Sequence, residues 1–208
     1  MITNARTAEM CKLTENSFRD VNIAFANELI RLANRYPRVN ILQPGPGVGG
    51  HCIAVDPWFI VSKTPEEARL IRTAREVNDS KPEWVINKAK QAVAEYLMEN
   101  PDKTAKDVTI ACFGLAFKPD IDDLRESPAL AITQQIAATH PGPVLAVEPN
   151  IRALPASLEG RLRLVAQQEA EQYAAINVLL VDHQQFRSAS TTASQSGSVI
   201  DTRGIWSA

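Results

Sequence analysis

Cys52 stands at the end of the run Gly45-Pro-Gly-Val-Gly-Gly50-His51. A thiol presented by an uncrowded turn can be exposed, and nearby cations can activate it as a nucleophile. From these residues alone, a nucleophile and a plain thiol both remain open. A metal site built from His51, Cys52 and Asp56 lacks a second, spaced pair of ligands elsewhere in the chain. The same run matches the pattern G-x-G-x-x-G. A dinucleotide loop of that pattern follows a strand and opens a helix, so that the pyrophosphate meets the helix N-terminus. Here Gly50 leads into His51-Cys-Ile-Ala-Val-Asp-Pro57, which does not start a helix, and Pro44 and Pro46 remove two backbone donors. The glycines read as a tight turn, or as one that lets the backbone approach a ligand and presents Cys52. Cys11, in a helical pattern, and Cys112, in the apolar run Val108–Phe113, read as packed thiols. Three sparse cysteines do not make a disulfide framework.

The elements that must hold this turn alternate along the chain. Residues 7–34 read as a helix whose apolar positions are Phe18, Val21, Ala24, Phe25, Leu29 and Leu32, ended by Pro37. Residues 39–63, rich in Gly and Pro, read as irregular. Thr64-Pro65-Glu66-Glu67 carries the signs of a helix start, with a restart or bend expected at Asp79–Pro82 before the helix runs on to Asn100. Beyond residue 104, short apolar runs at Val108–Phe113, Pro143–Val147, Asn177–Val181 and Ser198–Asp201 read as strands, with a helix at Pro128–Thr139. The expected fold is α/β: a helical module over 1–103 and a small Rossmann-like parallel module over 104–208.

The totals exclude some functions. Acids and bases are mixed along the chain with a net charge of −2, which argues against nucleic acid or an anionic membrane as partner. No run is long and apolar enough to span a bilayer, and Met1–Glu9 lacks the apolar core of a signal peptide, so a cytoplasmic protein is expected.

Four ordered motifs carry a family resemblance. Gly45-Pro-Gly-Val-Gly-Gly-His-Cys-Ile-Ala-Val-Asp-Pro57 resembles the catalytic-cysteine motif of the UDP-glucose/GDP-mannose dehydrogenases, in the form of the branch acting on UDP-N-acetylhexosamines. Ala8-Glu-Met-Cys-Lys-Leu-Thr-Glu-Asn16, Phe113-Gly-Leu-Ala-Phe-Lys-Pro-Asp-Ile-Asp-Asp-Leu-Arg-Glu-Ser-Pro128 and Val199-Ile-Asp-Thr-Arg-Gly204 agree with it. The resemblance implies oxidation of a sugar C6 alcohol to a carboxylate with two NAD, through a thioester on Cys52. It makes Lys12 the proton donor and acceptor that steadies the oxyanion, has Asn16 fix the same oxygen or a water, and has Asp56 orient the hydrolytic water. Lys12 and Asn16, four apart, share a helix face. The resemblance also places Arg19, Gly49, Phe117 and Lys118 against the substrate and Arg203 on its phosphates. Arg38 would lie near the sugar, reaching across a homodimer, and Arg125 would point at NAD. Without the resemblance, Lys12 and Asn16 read as a solvated helix face, Asp56 as a turn cap and each arginine as a surface ion pair.

Two departures from the family's pattern stand out. No residues here match the family's N-terminal NAD-binding domain, and Asn27–Arg31 runs into Leu32–Arg38 about a dozen residues too soon, on the order of 20 Å of helix. Tyr36 also stands where the family has a histidine. The expectation is therefore a dehydrogenase fragment that is inactive unless a separate NAD-binding chain joins it. The alternatives are a non-catalytic UDP-sugar-binding module or a decayed fragment.

Overall fold

A computed structural model describes residues 4–29, 41–158, 160–188 and 197–206. Helix α1 (Ala5–Glu28) starts at Asn4, whose side chain accepts the Thr7 amide at 2.9 Å. The face that α1 buries is not the apolar stripe that its spacing predicts. Asn16, Ser17, Asp20, Ala24 and Asn27 are buried, whereas Phe18 is 71% and Phe25 50% exposed. The reason lies across the interface, where α3 (Arg69–Glu99) offers polar partners. Arg75 donates to Asp20 Oδ1 at 2.6 Å, and Asn78 Nδ2 donates to Asp20 Oδ1 and to its carbonyl. Asn27 Nδ2 in turn donates to Asn78 Oδ1 at 2.9 Å. The same rotation of α1 leaves Cys11 exposed, correcting its reading as a packed thiol, while Cys112 is buried as expected.

Of the stretch expected to be irregular, residues 41–55 are so, but its end forms a helix, α2 (Asp56–Lys63), with Pro57 in the first turn, where a missing N–H costs nothing. Thr64 ends α2 rather than starting α3. Its hydroxyl and amide both donate to the Ile60 carbonyl, so it caps the helix before it. Residues 65–67 make a turn, and α3 begins at Arg69 without a side-chain cap. α3 also runs unbroken through Pro82, where a bend is expected. Tertiary contacts pin both sides of the proline. Asn78 is bonded to Asp20, Lys81 Nζ donates to the Asn27 carbonyl at 3.0 Å, and the ring packs against Gly47.

The remaining chain forms one parallel sheet in the order β3-β2-β1-β4-β5. Its strands are β1 (Ile110–Phe113), β2 (Val144–Val147), β3 (Arg163–Leu164), β4 (Ile176–Leu179) and β5 (Ser198–Asp201). β1, β2 and β4 are buried at every residue, which suits a sheet covered on both faces. On one face lie α4 (Pro128–Thr139) and the second half of α3, through Ile132, Ile136, Val85 and Ala89. On the other lie Phe186, Trp206 and α5 (Gln167–Tyr173). β3 and α5 carry no sequence signal. β3 is two residues long, and Ala170 is the only buried residue of α5. The fold is helical plus parallel α/β, as expected. No described helix is long and apolar enough to cross a membrane.

Burial pushes the Asp20 carboxyl above its ordinary range even beside Arg75, so the pair costs desolvation on both sides. Removing one partner leaves the other charge uncompensated. Arg75→Ala is therefore expected to lower unfolding free energy by about 3–5 kcal/mol in denaturant titrations. Arg125→Ala, which breaks an exposed pair with Asp123, should leave the unfolding midpoint nearly unchanged in the same titrations.

Candidate active site

The Cys52 turn is wedged between the helices and the sheet. The Gly45 amide donates to Asn27 Oδ1 at 2.8 Å, which ties the turn to α1. On the other side, Gln43 Nε2 donates to the Arg203 carbonyl at 2.8 Å. A Cβ on Gly45 would stand 2.6 Å from the Arg203 guanidinium, and one on Gly49 would stand 2.5 Å from the Glu126 carbonyl. At Gly49 the neighbour is backbone and cannot give way, so only glycine fits there; at Gly45 the neighbour is the end of a long side chain. Glu126 holds φ at 51°, and its carbonyl accepts the Gly50 amide at 3.4 Å. A strained residue thus presents the acceptor on which the cysteine turn rests.

Cys52 is exposed, and its carbonyl accepts the amides of Val55 at 3.1 Å and Asp56 at 2.8 Å, so it lies in the turn that leads into α2. Asp56, the first residue of α2, accepts from Asn16 Nδ2 at 2.5 Å. Asn16 is buried. Its amide therefore fixes the Asp56 carboxylate in place. Lys12 and Asp56 line one cleft of about 500 Å³ between α1 and α2, together with Leu13, Phe59 and Ile60. Lys12 makes an exposed pair with Glu15 at 3.3 Å, a partner it can exchange readily for a ligand. Arg19 is exposed on α1.

The sheet side supplies the remaining residues. Phe117 and Lys118 follow β1, with Lys118 Nζ 4.9 Å from the Phe117 ring centre, and a Cβ on Gly50 would lie 3.7 Å from that ring's edge. Arg203 follows β5, is mostly buried, and pairs with the buried Asp182. Burial works to lower its pKa, and Asp182 supports its charge. Arg125 is 85% exposed and holds Asp123 through Nε and NH2, which keeps the Asp123 carboxyl down at about 2. Arg38 lies outside the described residues, as does Tyr36. The structure thus joins Asn16 to Asp56, places Lys12 in the cleft that Asp56 lines, and seats Gly45 on Arg203 and Gly49 and Gly50 on Glu126, with Phe117 nearby.

Among the described residues, neither the glycine turn nor the turn after β1 fits a dinucleotide pyrophosphate. The Gly45 and Gly50 amides are taken by Asn27 and Glu126, and the helix after the glycines starts only at Asp56. The amides of Leu115 and Ala116, which follow β1, donate to Glu148 Oε2 at 2.7 and 3.0 Å. The described residues also hold no cluster of metal-binding side chains. Asn27, Asp182, Glu148 and His183 escaped the sequence reading. An acid closing the strand run Val144–Val147 was the one signal available for Glu148. The others look like any helix or loop residue until they are packed.

The family's UDP-binding domain model matches residues 111–208, and its central-domain model matches 6–41 and 28–80. The chain belongs to the UDP-glucose/GDP-mannose dehydrogenase family. It is 61% identical to a UDP-N-acetyl-D-mannosamine dehydrogenase of Salmonella typhi over 220 aligned positions, covering 99% of this chain and 52% of that protein. It is 60% identical to an NDP-N-acetyl-D-galactosaminuronic acid dehydrogenase of Ralstonia nicotianae, covering all of this chain and 50% of that one. The structure of a UDP-D-ManNAc dehydrogenase from Pyrococcus horikoshii superposes with a TM-score of 0.73 at 36% identity, over 98% of this chain and 49% of that one. The chain spans about half the length of these relatives. The 220 aligned positions exceed the 208 residues here, and the two central-domain matches overlap over 28–41. Both facts agree with a shortening after Asn27.

The three thiols should separate by reactivity. Burial pushes the Cys112 thiol up to about 12, whereas Cys11 and Cys52 are exposed. Iodoacetamide at pH 8 is expected to label Cys11 and Cys52 in the native chain. Cys112 should be labelled only after unfolding, as read by peptide mass spectrometry.

Proposed function

We propose that these residues form the cysteine-bearing and UDP-sugar-binding part of a nucleotide-sugar 6-dehydrogenase. Its substrate is a UDP-N-acetylhexosamine, with UDP-N-acetyl-D-mannosamine the first choice. The observation that carries this reading is the seating of the Cys52 turn on Arg203 and Glu126, beside Phe117. A ligand whose diphosphate lies at the sheet would run from Arg203 and Lys118 past Phe117 toward the thiol. The order of the strands supports this placement. Open parallel sheets take ligands beyond the strands' carboxyl ends where the order reverses, here between β1 and β4.

The chemistry then divides among named groups. The Cys52 thiolate adds to the C6 aldehyde carbon of the partly oxidised sugar, and Lys12 gives a proton to the oxygen that becomes the thiohemiacetal hydroxyl. Once the carbon is a thioester, a water oriented by Asp56 attacks it. The acid leaves and the thiol is regenerated. Asn16 holds Asp56 for that step. Arg19 and Gly49 border the sugar. The oxidising power would come from two NAD molecules bound in turn, one hydride to each. The described residues are not built to hold NAD, so in this reading a further NAD-binding unit supplies it, with the exposed Arg125 the residue assigned to meet that unit. These residues alone bind substrate without oxidising it. The bare Phe18 and Phe25 fit the homodimer that the family resemblance implies. Free cysteines suit the cytoplasm.

Calorimetric titration with UDP-N-acetylmannosamine tests the reading. Saturable, salt-sensitive binding is expected, and Arg203→Ala should weaken it at least tenfold, the size of a lost charge-assisted hydrogen bond of about 1.5–3 kcal/mol. A folded chain that shows no saturable binding would sink it.

A further inference from the structure

The crevice between β1 and β4 is not empty of charge. Glu148, directly after β2, has a fully buried carboxylate. Its Oε2 accepts three donors: the amides of Leu115 and Ala116, and His183 Nε2 at 3.0 Å. Its Oε1 accepts the Asn150 amide at 3.1 Å and Asn150 Nδ2 at 3.3 Å. Burial alone would raise its pKa. The hydrogen bonds from His183 and from the Leu115 and Asn150 amides outweigh burial and hold it below the ordinary range.

His183, just past β4, is also fully buried. Its Nδ1 lies 2.8 Å from the Asp120 amide nitrogen and 3.1 Å from Asn150 Nδ2. A backbone N–H can only donate, so Nδ1 is an acceptor and the single ring proton sits on Nε2, aimed at Glu148. The facing charged groups are the Glu148 carboxylate and the Asp120 carboxylate, 3.7 Å from Nδ1, and the Phe186 ring closes the remaining side edge-on at 5.3 Å. Asp120 holds φ at 61°, and its Oδ1 accepts the Gln184 amide at 2.9 Å. The segment from Gly114 to Asp120 is therefore gripped at both ends, by Glu148 at 115–116 and by His183 at 120. Phe117 and Lys118 stand between the grips.

We propose that Glu148 and His183 are positioning residues for the nucleotide site, holding residues 114–120 in the one shape that offers Phe117 and Lys118 to the substrate's UDP. This rests on reading the chain as a UDP-sugar-binding protein. A corollary concerns the phosphates. In a dinucleotide fold, the first turn after β1 donates its amides to the pyrophosphate. Here a protein carboxylate consumes those donors, so recognition of the diphosphate falls to side chains.

Three readouts on the 208-residue chain test the proposal. These are the His183 tautomer by nitrogen-15 correlation spectra, amide exchange at Leu115, Ala116 and Asp120 without ligand, and titration with UDP. The wild type is expected to show the Nε2–H tautomer and slow exchange at all three amides. Glu148→Gln and His183→Leu should speed that exchange and weaken UDP binding at least tenfold. His183→Asn, whose Oδ1 replaces Nδ1 as acceptor for Asp120, should recover protection at Asp120 and most of the affinity. An Nδ1–H tautomer in the wild type overturns the clamp. Undiminished UDP affinity in variants that have lost protection overturns its positioning role. Should Glu148→Gln not fold, the Leu and Asn variants of His183 decide the matter between them. A wild type that fails to take UDP sinks the functional reading, while the tautomer and exchange data still decide whether the clamp exists.

Discussion

The buried pair of Asp20 and Arg75 governs how the helical part is assembled. Two charges out of water need each other and every nearby donor, and they fix the rotation of α1 against α3. That rotation brings Asn78 onto Asp20, Asn27 onto Asn78 and the Gly45 amide onto Asn27. One run of hydrogen bonds thus links a buried charge to the turn that bears Cys52. It also places Asn16, one helical turn before Asp20, against Asp56. An apolar interface would bury as much surface, but it would fix the register of the two helices less sharply. The cost is visible in Asp20 Oδ2 and Arg75 Nε, which have no hydrogen-bond partner.

The sheet side obeys the same logic with different groups. Glu148 and His183 satisfy each other, Glu148 Oε2 and His183 Nδ1 also accept amides of the segment after β1, and Asn150 serves both side chains. Both halves therefore shape a loop by burying a charged or polar side chain that accepts hydrogen bonds from that loop's backbone. The loops meet where glycine allows contact, at Gly45 on Arg203 and Gly49 on Glu126. α3 belongs to both halves. Its first turns carry Arg75 and Asn78, and its later turns carry Val85, Ile86 and Ala89 into the sheet core. A rigid helix 31 residues long fixes the distance between the polar interface and the sheet, and so between the thiol and the nucleotide crevice.

Much of this was legible before folding. Continuous apolar runs between turn residues marked β1, β2 and β4, because strands buried on both faces need no alternation. Where several residue types had to stand at fixed spacing, as from Gly45 to Pro57, the motif was readable and carried the family with it. The failures share a cause. Thr64 and Glu67 had the spacing of a helix start, yet the hydroxyl served the helix before it. Phe18 and Phe25 had the spacing of a core stripe, yet α3 offered α1 polar partners instead.

The sequence by itself determined the fold class and the family. These follow from local residue type and short-range spacing, which survive any rotation of one element against another. Only the tertiary structure decided which face of α1 is buried, that Asn16 serves Asp56, and that Glu148 and His183 shape the loop of Phe117 and Lys118. Each of those depends on pairs far apart in the chain, such as Asp20 with Arg75 or Leu115 with Glu148. A buried hydrogen bond is chosen by which donors arrive together in the absence of water, and no local pattern records that arrival.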